Sequence, residues 1–134
     1  MRCLIVDDST TMRRILEKAL REAGFGEILH APDGPQALQL ADGSLDLVVT
    51  KWNLPTLGGI ELIRRLRGAE ETKRVSVLMV TSRTSETDVK TAAEAGVSSY
   101  LVKPFSPETL AHKLVVLAQH SAVTVPTTES SESN

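Results

Sequence analysis

Short apolar runs alternate along the chain with stretches in which apolar residues recur every three or four positions. The runs have the length of buried strands, and the spaced stretches have the period of amphipathic helices. Five of each follow one another before residue 120, and the five runs are CLIVDD, EILHA, LDLVVT, VSVLMVT and SSYLV. Strict alternation predicts an α/β fold with a parallel sheet and helices on both faces.

The ends of the predicted helices carry capping residues. A Ser or Asp stands at four helix starts, where its side chain can accept a hydrogen bond from a free backbone N–H group. Glycines stand at two helix ends, where a left-handed conformation stops the helix. The N-cap candidates are Ser9, Asp33, Ser85 and Ser106. The predicted helices cover residues 9–24, 33–41, 58–66 and 85–95, and a last helix begins at Ser106.

Composition narrows the class of protein. The chain has 134 residues and a net charge of −2, and only 3% of its residues are aromatic. These values predict one domain and disfavour binding to nucleic acid or to a membrane. A single cysteine, Cys3, excludes an intrachain disulfide and fits a cytoplasmic protein. We predict a folded domain over residues 1–120 and a disordered Ser/Thr/Glu-rich tail over residues 121–134.

Polar residues stand where the predicted strands end. Asp7 and Asp8 follow the first strand, Lys51 and Thr81 lie at the ends of the third and fourth, and Lys103 follows the fifth. Carboxyl ends of parallel strands meet at one edge of the sheet, where ligands bind. Taken alone, each of these residues can be explained as a partner of a helix dipole or as part of a turn. Together they suggest a cation site beside a phosphate site. Carboxylates suit Mg²⁺, and hydroxyl and ammonium groups suit phosphoryl oxygens.

Four separated motifs, LIVDDS, DLVVTKWNLP, VLMVTS and YLVKPF, resemble those of CheY-like response-regulator receiver domains of two-component signalling. The resemblance covers residues 1–120. It implies a flavodoxin-like, doubly wound sheet of five parallel strands in the order 2-1-3-4-5, with five helices. It also implies an acidic pocket that binds Mg²⁺ and an aspartate that accepts phosphate from a histidine kinase.

The resemblance assigns roles to particular residues. Asp7 and Asp8 match the metal-binding acids, and the backbone carbonyl of Asn53 matches a further metal ligand. The remaining matches are Thr81 as the switch hydroxyl, Tyr100 as the rotating aromatic residue and Lys103 as the phosphate-contacting lysine. The peptide bond between Lys103 and Pro104 matches one that is commonly cis in the family.

The sequence departs from the family at the phosphoacceptor position, where Lys51 stands in place of aspartate. The flanking residues remain in register, so the alignment does not slip. The formal charges of Asp7, Asp8, Lys51 and Lys103 then sum to zero. We expect Lys51 to form an ion pair with Asp8 or Asp7 and to take the place of Mg²⁺. Only a form with aspartate at this position is expected to bind Mg²⁺. The alternative is a lysine that extends into solvent.

These observations predict a single-domain response regulator of chemotaxis or motility that is not phosphorylatable and that acts through protein–protein contact. The expected partners are a histidine kinase and a downstream signalling or motor protein, and the domain is expected to be a monomer. The expected output face is formed by the fourth helix, fifth strand and fifth helix. The residues placed on or near it are Thr84, Glu86, Tyr100 and Lys113.

Other interpretations remain at this stage. An engineered phosphorylation-dead variant and a natural pseudo-receiver that signals by binding alone would carry the same lysine, although the intact pocket favours a recent or deliberate change. An enzyme that forms an imine through Lys51 is disfavoured, because neighbouring carboxylates stabilise the charged, non-nucleophilic ammonium. The sequence also suggests no large apolar pocket. A nucleotide-binding domain is disfavoured because no glycine-rich loop follows the first strand.

Overall fold

A computed structural model describes residues 1–122, and these form five strands and five helices in strict alternation. The strands are β1 (Arg2–Val6), β2 (Glu27–Ala31), β3 (Leu47–Lys51), β4 (Ser76–Thr81) and β5 (Ser99–Val102). The helices are α1 (Thr10–Glu22), α2 (Gly34–Leu40), α3 (Gly59–Gly68), α4 (Glu86–Ala95) and α5 (Pro107–Ala122). None of these helices is long and apolar enough to cross a membrane.

The five strands form one parallel sheet in the order β2-β1-β3-β4-β5, which confirms the predicted topology. Val6, the last residue of β1, pairs with Thr50 of β3. Lys51 pairs in turn with Val80 of β4. The residues that follow these pairs therefore emerge side by side at the carboxyl edge of the sheet, beside the switch in strand order between β1 and β3.

Both faces of the sheet are buried, which explains why the strands are continuously apolar. Alternate residues of the strands, such as Leu4 and Val48, pack against α2, α3 and α4 on one face. Their neighbours, such as Ile5 and Val49, pack against α1 and α5 on the other. The two cores hold the strand ends in place and leave the polar edge open.

The predicted helix caps are confirmed. Each N-cap side chain accepts a hydrogen bond from the backbone N–H group three residues further on, and these caps are Ser9, Asp33, Ser85 and Ser106. Gly24 and Gly96 have φ angles of 106° and 110°, the left-handed conformation that ends a helix at little cost when no Cβ is present.

Two helices extend beyond their predicted ends. Helix α3 ends at Gly68 and not at residue 66, because the guanidinium of Arg67 donates to the carbonyls of Val75 and Gly96 and anchors the last turn. Helix α5 includes residues 121 and 122, which the predicted boundary placed in the tail. A change in composition is not a helix stop signal, and the division into a domain and a tail stays a prediction. The rest of the predicted tail, residues 123–134, lies outside the described residues.

Candidate functional site

The carboxyl edge of the sheet brings together the side chains that the sequence singled out. Asp7 and Asp8 directly follow β1, and Lys51 is the last residue of β3. Thr81 is the last residue of β4, and Lys103 directly follows β5. The backbone N–H of Lys103 donates to the carbonyl of Thr81 over 2.8 Å, which ties the ends of β4 and β5 together.

Lys51 and Asp8 form an ion pair at this edge. The ammonium nitrogen of Lys51 lies 2.7 Å from Oδ1 of Asp8. The Lys51 side chain is 25% exposed and that of Asp8 is 43% exposed, so the pair lies at the rim and not in the core. The hydrogen bond from Lys51 holds the pKa of Asp8 below its usual value, and the charge of Lys103 acts in the same direction. The predicted pairing of the lysine with an acid is therefore present, and the lysine does not simply extend into solvent.

Asp7 is placed differently from Asp8. Asp7 is almost completely buried, and its Oδ1 accepts a hydrogen bond from the backbone N–H of Ser9 over 2.8 Å. The guanidinium of Arg13 donates to the backbone carbonyl of Asp7 and fixes the start of the loop. Asp7 is thus engaged by its own loop, which explains why the exposed Asp8 is the partner of Lys51.

Thr81 and Tyr100 are linked through the backbone of one residue. The buried hydroxyl of Thr81 accepts a hydrogen bond from the N–H of Arg83 over 3.1 Å. The hydroxyl of Tyr100 donates to the carbonyl of Arg83 over 3.0 Å. Burial raises the pKa of Tyr100, and the nearby Asp88 carboxylate adds to this effect, so the hydroxyl remains a donor at neutral pH.

Arg83 is a residue of the site that the sequence analysis missed. Its guanidinium lies 4.6 Å from the centroid of the Trp52 ring and donates to Oδ1 of Asn53 over 3.3 Å. It also lies 3.4 Å from a carboxylate oxygen of Asp88. The feature of the sequence that could have identified Arg83 is its position two residues after the end of β4, at the same edge of the sheet. The contact with Trp52 itself could not be read from the sequence.

The peptide bond between Lys103 and Pro104 is cis, as the resemblance implied.

Of the residues placed on the output face, Thr84 and Glu86 are exposed, whereas Tyr100 and Lys113 are partly buried. They lie in the loop after β4, at the start of α4, in β5 and in α5, respectively. Their role in binding a partner stays a prediction.

The expectation that the chain lacks a large apolar pocket is wrong. A groove of about 830 Å³ runs between α1 and the start of α5 and reaches Lys103 and Ser82 at the edge of the sheet. Met12, Ile15 and Phe105 are among its apolar residues. The groove lies between residues of α1 and residues at the start of α5, and helical periodicity alone does not report the distance between helices.

A doubly wound parallel sheet with two acids, a hydroxyl and a lysine at its carboxyl edge defines the class of response-regulator receiver domains. The family model described as "Response regulator receiver domain" matches residues 3–115. The chain belongs to this family, and it is a CheY-like receiver domain.

Individual relatives agree with this assignment. The chemotaxis protein CheY-3 of Vibrio cholerae is 47% identical over 115 residues, which cover 85% of this chain and 88% of the relative. The solved structure of the chemotaxis response regulator CheY4 of Vibrio cholerae is 34% identical with a TM-score of 0.77, covering 87% of this chain and 97% of that one. A receiver domain of a Pseudomonas aeruginosa sensor histidine kinase, solved with a magnesium ion coordinated in its active site cleft, is 28% identical with a TM-score of 0.76. That match covers 88% of this chain and 97% of the solved chain.

Proposed function

We propose that the chain is a response regulator of chemotaxis or motility that does not undergo phosphotransfer, because Lys51 stands at the phosphoacceptor position. The observation that carries this proposal is the 2.7 Å ion pair between Lys51 and Asp8 at the end of β3. The ammonium of a lysine cannot accept a phosphoryl group to form the acyl phosphate that a carboxylate would form.

The side chains at this edge do not fit a bound Mg²⁺. The Lys51 ammonium is hydrogen-bonded to the carboxylate of Asp8, one of the two acids that match the metal-binding positions of the family. Within residues 1–122, no group of three or more His, Cys, Asp and Glu side chains is arranged to hold a metal ion. Two aspartates and two lysines at one edge have no net charge, so the attraction for a dication is small. We infer that Lys51 takes the place of the metal.

The output of the domain is contact with other proteins. The exposed positions of Thr84 and Glu86, beside the half-buried Tyr100, support a binding face formed by α4, β5 and α5. The similarity to chemotaxis proteins supports a downstream signalling or motor protein as the partner. We propose in addition that a histidine kinase acts upstream and that the domain is a monomer. The alternative is a natural pseudo-receiver, in which Lys51 has evolved and which signals by binding through this face without phosphorylation.

Phosphorylation by a small-molecule donor tests the proposal. The unchanged chain, Lys51→Asp and Lys51→Asn would each be incubated with acetyl phosphate and Mg²⁺, and intact mass would be measured. We expect Lys51→Asp alone to gain the mass of one phosphoryl group. Lys51→Asn removes the ammonium without supplying an acceptor. It therefore separates the loss of the positive charge from the gain of a carboxylate that accepts phosphate. A phosphoryl group on the unchanged chain would overturn the proposal.

A further inference from the structure

The side chain of Arg83 joins the loop after β3 to helix α4. Its guanidinium lies over Trp52 at 4.6 Å from the ring centroid and donates to Asn53, the next residue of that loop. On the other side it contacts the carboxylate of Asp88 in α4. One planar group with several donors can hold such partners at once, which a lysine could not do.

The backbone of Arg83 holds two further groups. Its N–H donates to the Thr81 hydroxyl, and its carbonyl accepts from the hydroxyl of Tyr100 over 3.0 Å. The Arg83 carbonyl is therefore the backbone partner of the Tyr100 hydroxyl in its half-buried position, where the Thr81 side chain also interacts with that hydroxyl. The side chain and backbone of the same residue connect the loop after β3 with β5.

The arrangement is held by contacts that are individually weak. The polar contacts of the guanidinium with Asn53 and Asp88 are 3.3 and 3.4 Å long, and the Arg83 side chain is 39% exposed. Its Nε is buried and has no hydrogen-bond partner among the described residues. Weak contacts and one unsatisfied donor give an arrangement that can open without disturbing the core.

We propose that Arg83 is a positioning residue that couples the loop after β3 to Tyr100. With the guanidinium seated on Trp52, the loop after β4 is fixed and its carbonyl holds the Tyr100 hydroxyl. When the guanidinium leaves Trp52, the loop relaxes and the Tyr100 ring is released toward solvent. The inference rests on the proposed function in one respect, since it is the proposed output face that makes the position of Tyr100 matter.

The chain offers one reporter at each end of this connection. Trp52 is its single tryptophan and Tyr100 its single tyrosine, so each ring can be followed alone. Exposure of Trp52 is measured by acrylamide quenching of its fluorescence. Exposure of Tyr100 is measured by fluorine NMR of protein labelled with fluorotyrosine, with a soluble paramagnetic agent as the probe of solvent contact.

The test compares the unchanged chain with Arg83→Gln and with the control Arg64→Gln. Arg64 lies on α3, is 56% exposed and contacts Glu61 through an ion pair at 3.9 Å, so the control removes a comparable surface arginine. Arg83→Gln leaves the backbone carbonyl in place, so Tyr100 can respond only if the side chain positions the loop. We expect both rings to become more exposed in Arg83→Gln, with the closed population falling by a factor of about 2 to 5. Arg64→Gln should leave both unchanged.

Any result in which Trp52 and Tyr100 do not respond together in Arg83→Gln overturns the proposal. If Arg83→Gln does not fold, Trp52→Leu tests the connection from its other end, and Tyr100 should then be released although Arg83 is intact. An unchanged Tyr100 in Trp52→Leu would overturn it. Neither readout involves phosphorylation or a partner, so a failure of the proposed function and a failure of this inference are distinguishable.

Discussion

The ammonium nitrogen of Lys51 and Oδ1 of Asp8 lie 2.7 Å apart where β1 and β3 end side by side. Asp7 makes its own hydrogen bond to the start of the next loop and is buried. The lysine therefore has one accessible carboxylate, and its ammonium neutralises the charge of that carboxylate.

Replacing Lys51 with aspartate should create a response to Mg²⁺. Three carboxylates at this edge repel one another, and a dication relieves that repulsion. We expect the melting temperature of Lys51→Asp to rise by roughly 3–8 °C when Mg²⁺ is at about ten times its Kd. The melting temperature of the unchanged chain should not respond to millimolar Mg²⁺.

A monovalent salt at equal ionic strength controls for general screening in this experiment. Lys51→Asn serves as the variant without either charge. Equal tightness of Mg²⁺ binding in the unchanged chain and in Lys51→Asp would contradict the inference that the ammonium replaces the metal.

The ion pair should contribute stability that depends on pH. The pKa of Asp8 is lowered in the folded protein, chiefly by the hydrogen bond from Lys51, so the contribution is present above the unfolded pKa of the carboxyl group and is lost as pH falls through the folded value. Because Asp8 is partly exposed and screened by water, we expect Lys51→Met to lower the free energy of unfolding at pH 7 by no more than about 1 kcal/mol.

Urea unfolding at pH 7 and at about pH 3 measures this difference. The gap between the unchanged chain and Lys51→Met should narrow at the lower pH. Lys90→Met, on the exposed surface of α4, controls for the loss of a lysine. A gap of the same size at both pH values would show that the effect comes from packing and not from the charge of Asp8.

Gly59 in the first turn of α3 should not tolerate a side chain. A Cβ at this position would overlap the carbonyl oxygen of Lys51 and would also lie 3.2 Å from Cα of Trp52. Alanine usually stabilises a helix relative to glycine by about 1 kcal/mol. We expect the opposite sign here, with Gly59→Ala lowering the free energy of unfolding by about 1–3 kcal/mol.

The neighbouring residue supplies the control for this prediction. A Cβ at Gly58 would lie 3.5 Å from the carbonyl oxygen of Trp52, an ordinary contact, and Gly58 has a φ angle of −69° that any residue adopts. Gly58→Ala should therefore change stability by no more than about 0.5 kcal/mol. Similar losses in both variants, measured by urea unfolding, would show that the approach of α3 to Lys51 is not the cause.

Arg67 should be far more important for stability than its neighbour Arg65. Its guanidinium donates to the carbonyls of Gly96 at 2.8 Å and Val75 at 2.6 Å, and burial lowers its pKa. Arg67→Met leaves these carbonyls without their donor and should cost about 2–4 kcal/mol. Arg65 is 55% exposed and pairs only with Glu61 among the contacts described, so Arg65→Met should stay within about 0.5 kcal/mol. Equal losses by thermal and urea unfolding would contradict the assigned role.

Much of the fold could be predicted because its signals are local. Capping residues such as Ser9 and Ser85 act on N–H groups three residues away, and Gly96 acts on its own φ angle. Strand ends carry Asp7 and Lys51 to the same edge in any parallel sheet with this register. These features depend on chain geometry over a few residues, so the sequence was sufficient to place them.

The sequence by itself determined the alternation of elements, the helix starts and the set of polar residues at the carboxyl edge of the sheet. Only the tertiary structure decided that Lys51 pairs with Asp8 and not with Asp7, that Arg83 covers Trp52, and that an apolar groove lies between α1 and the start of α5. Periodicity gives the face on which a side chain lies but not its distance from residues that are remote in the chain. That distance follows from how the two cores pack, which sets the direction and reach of each side chain at the edge.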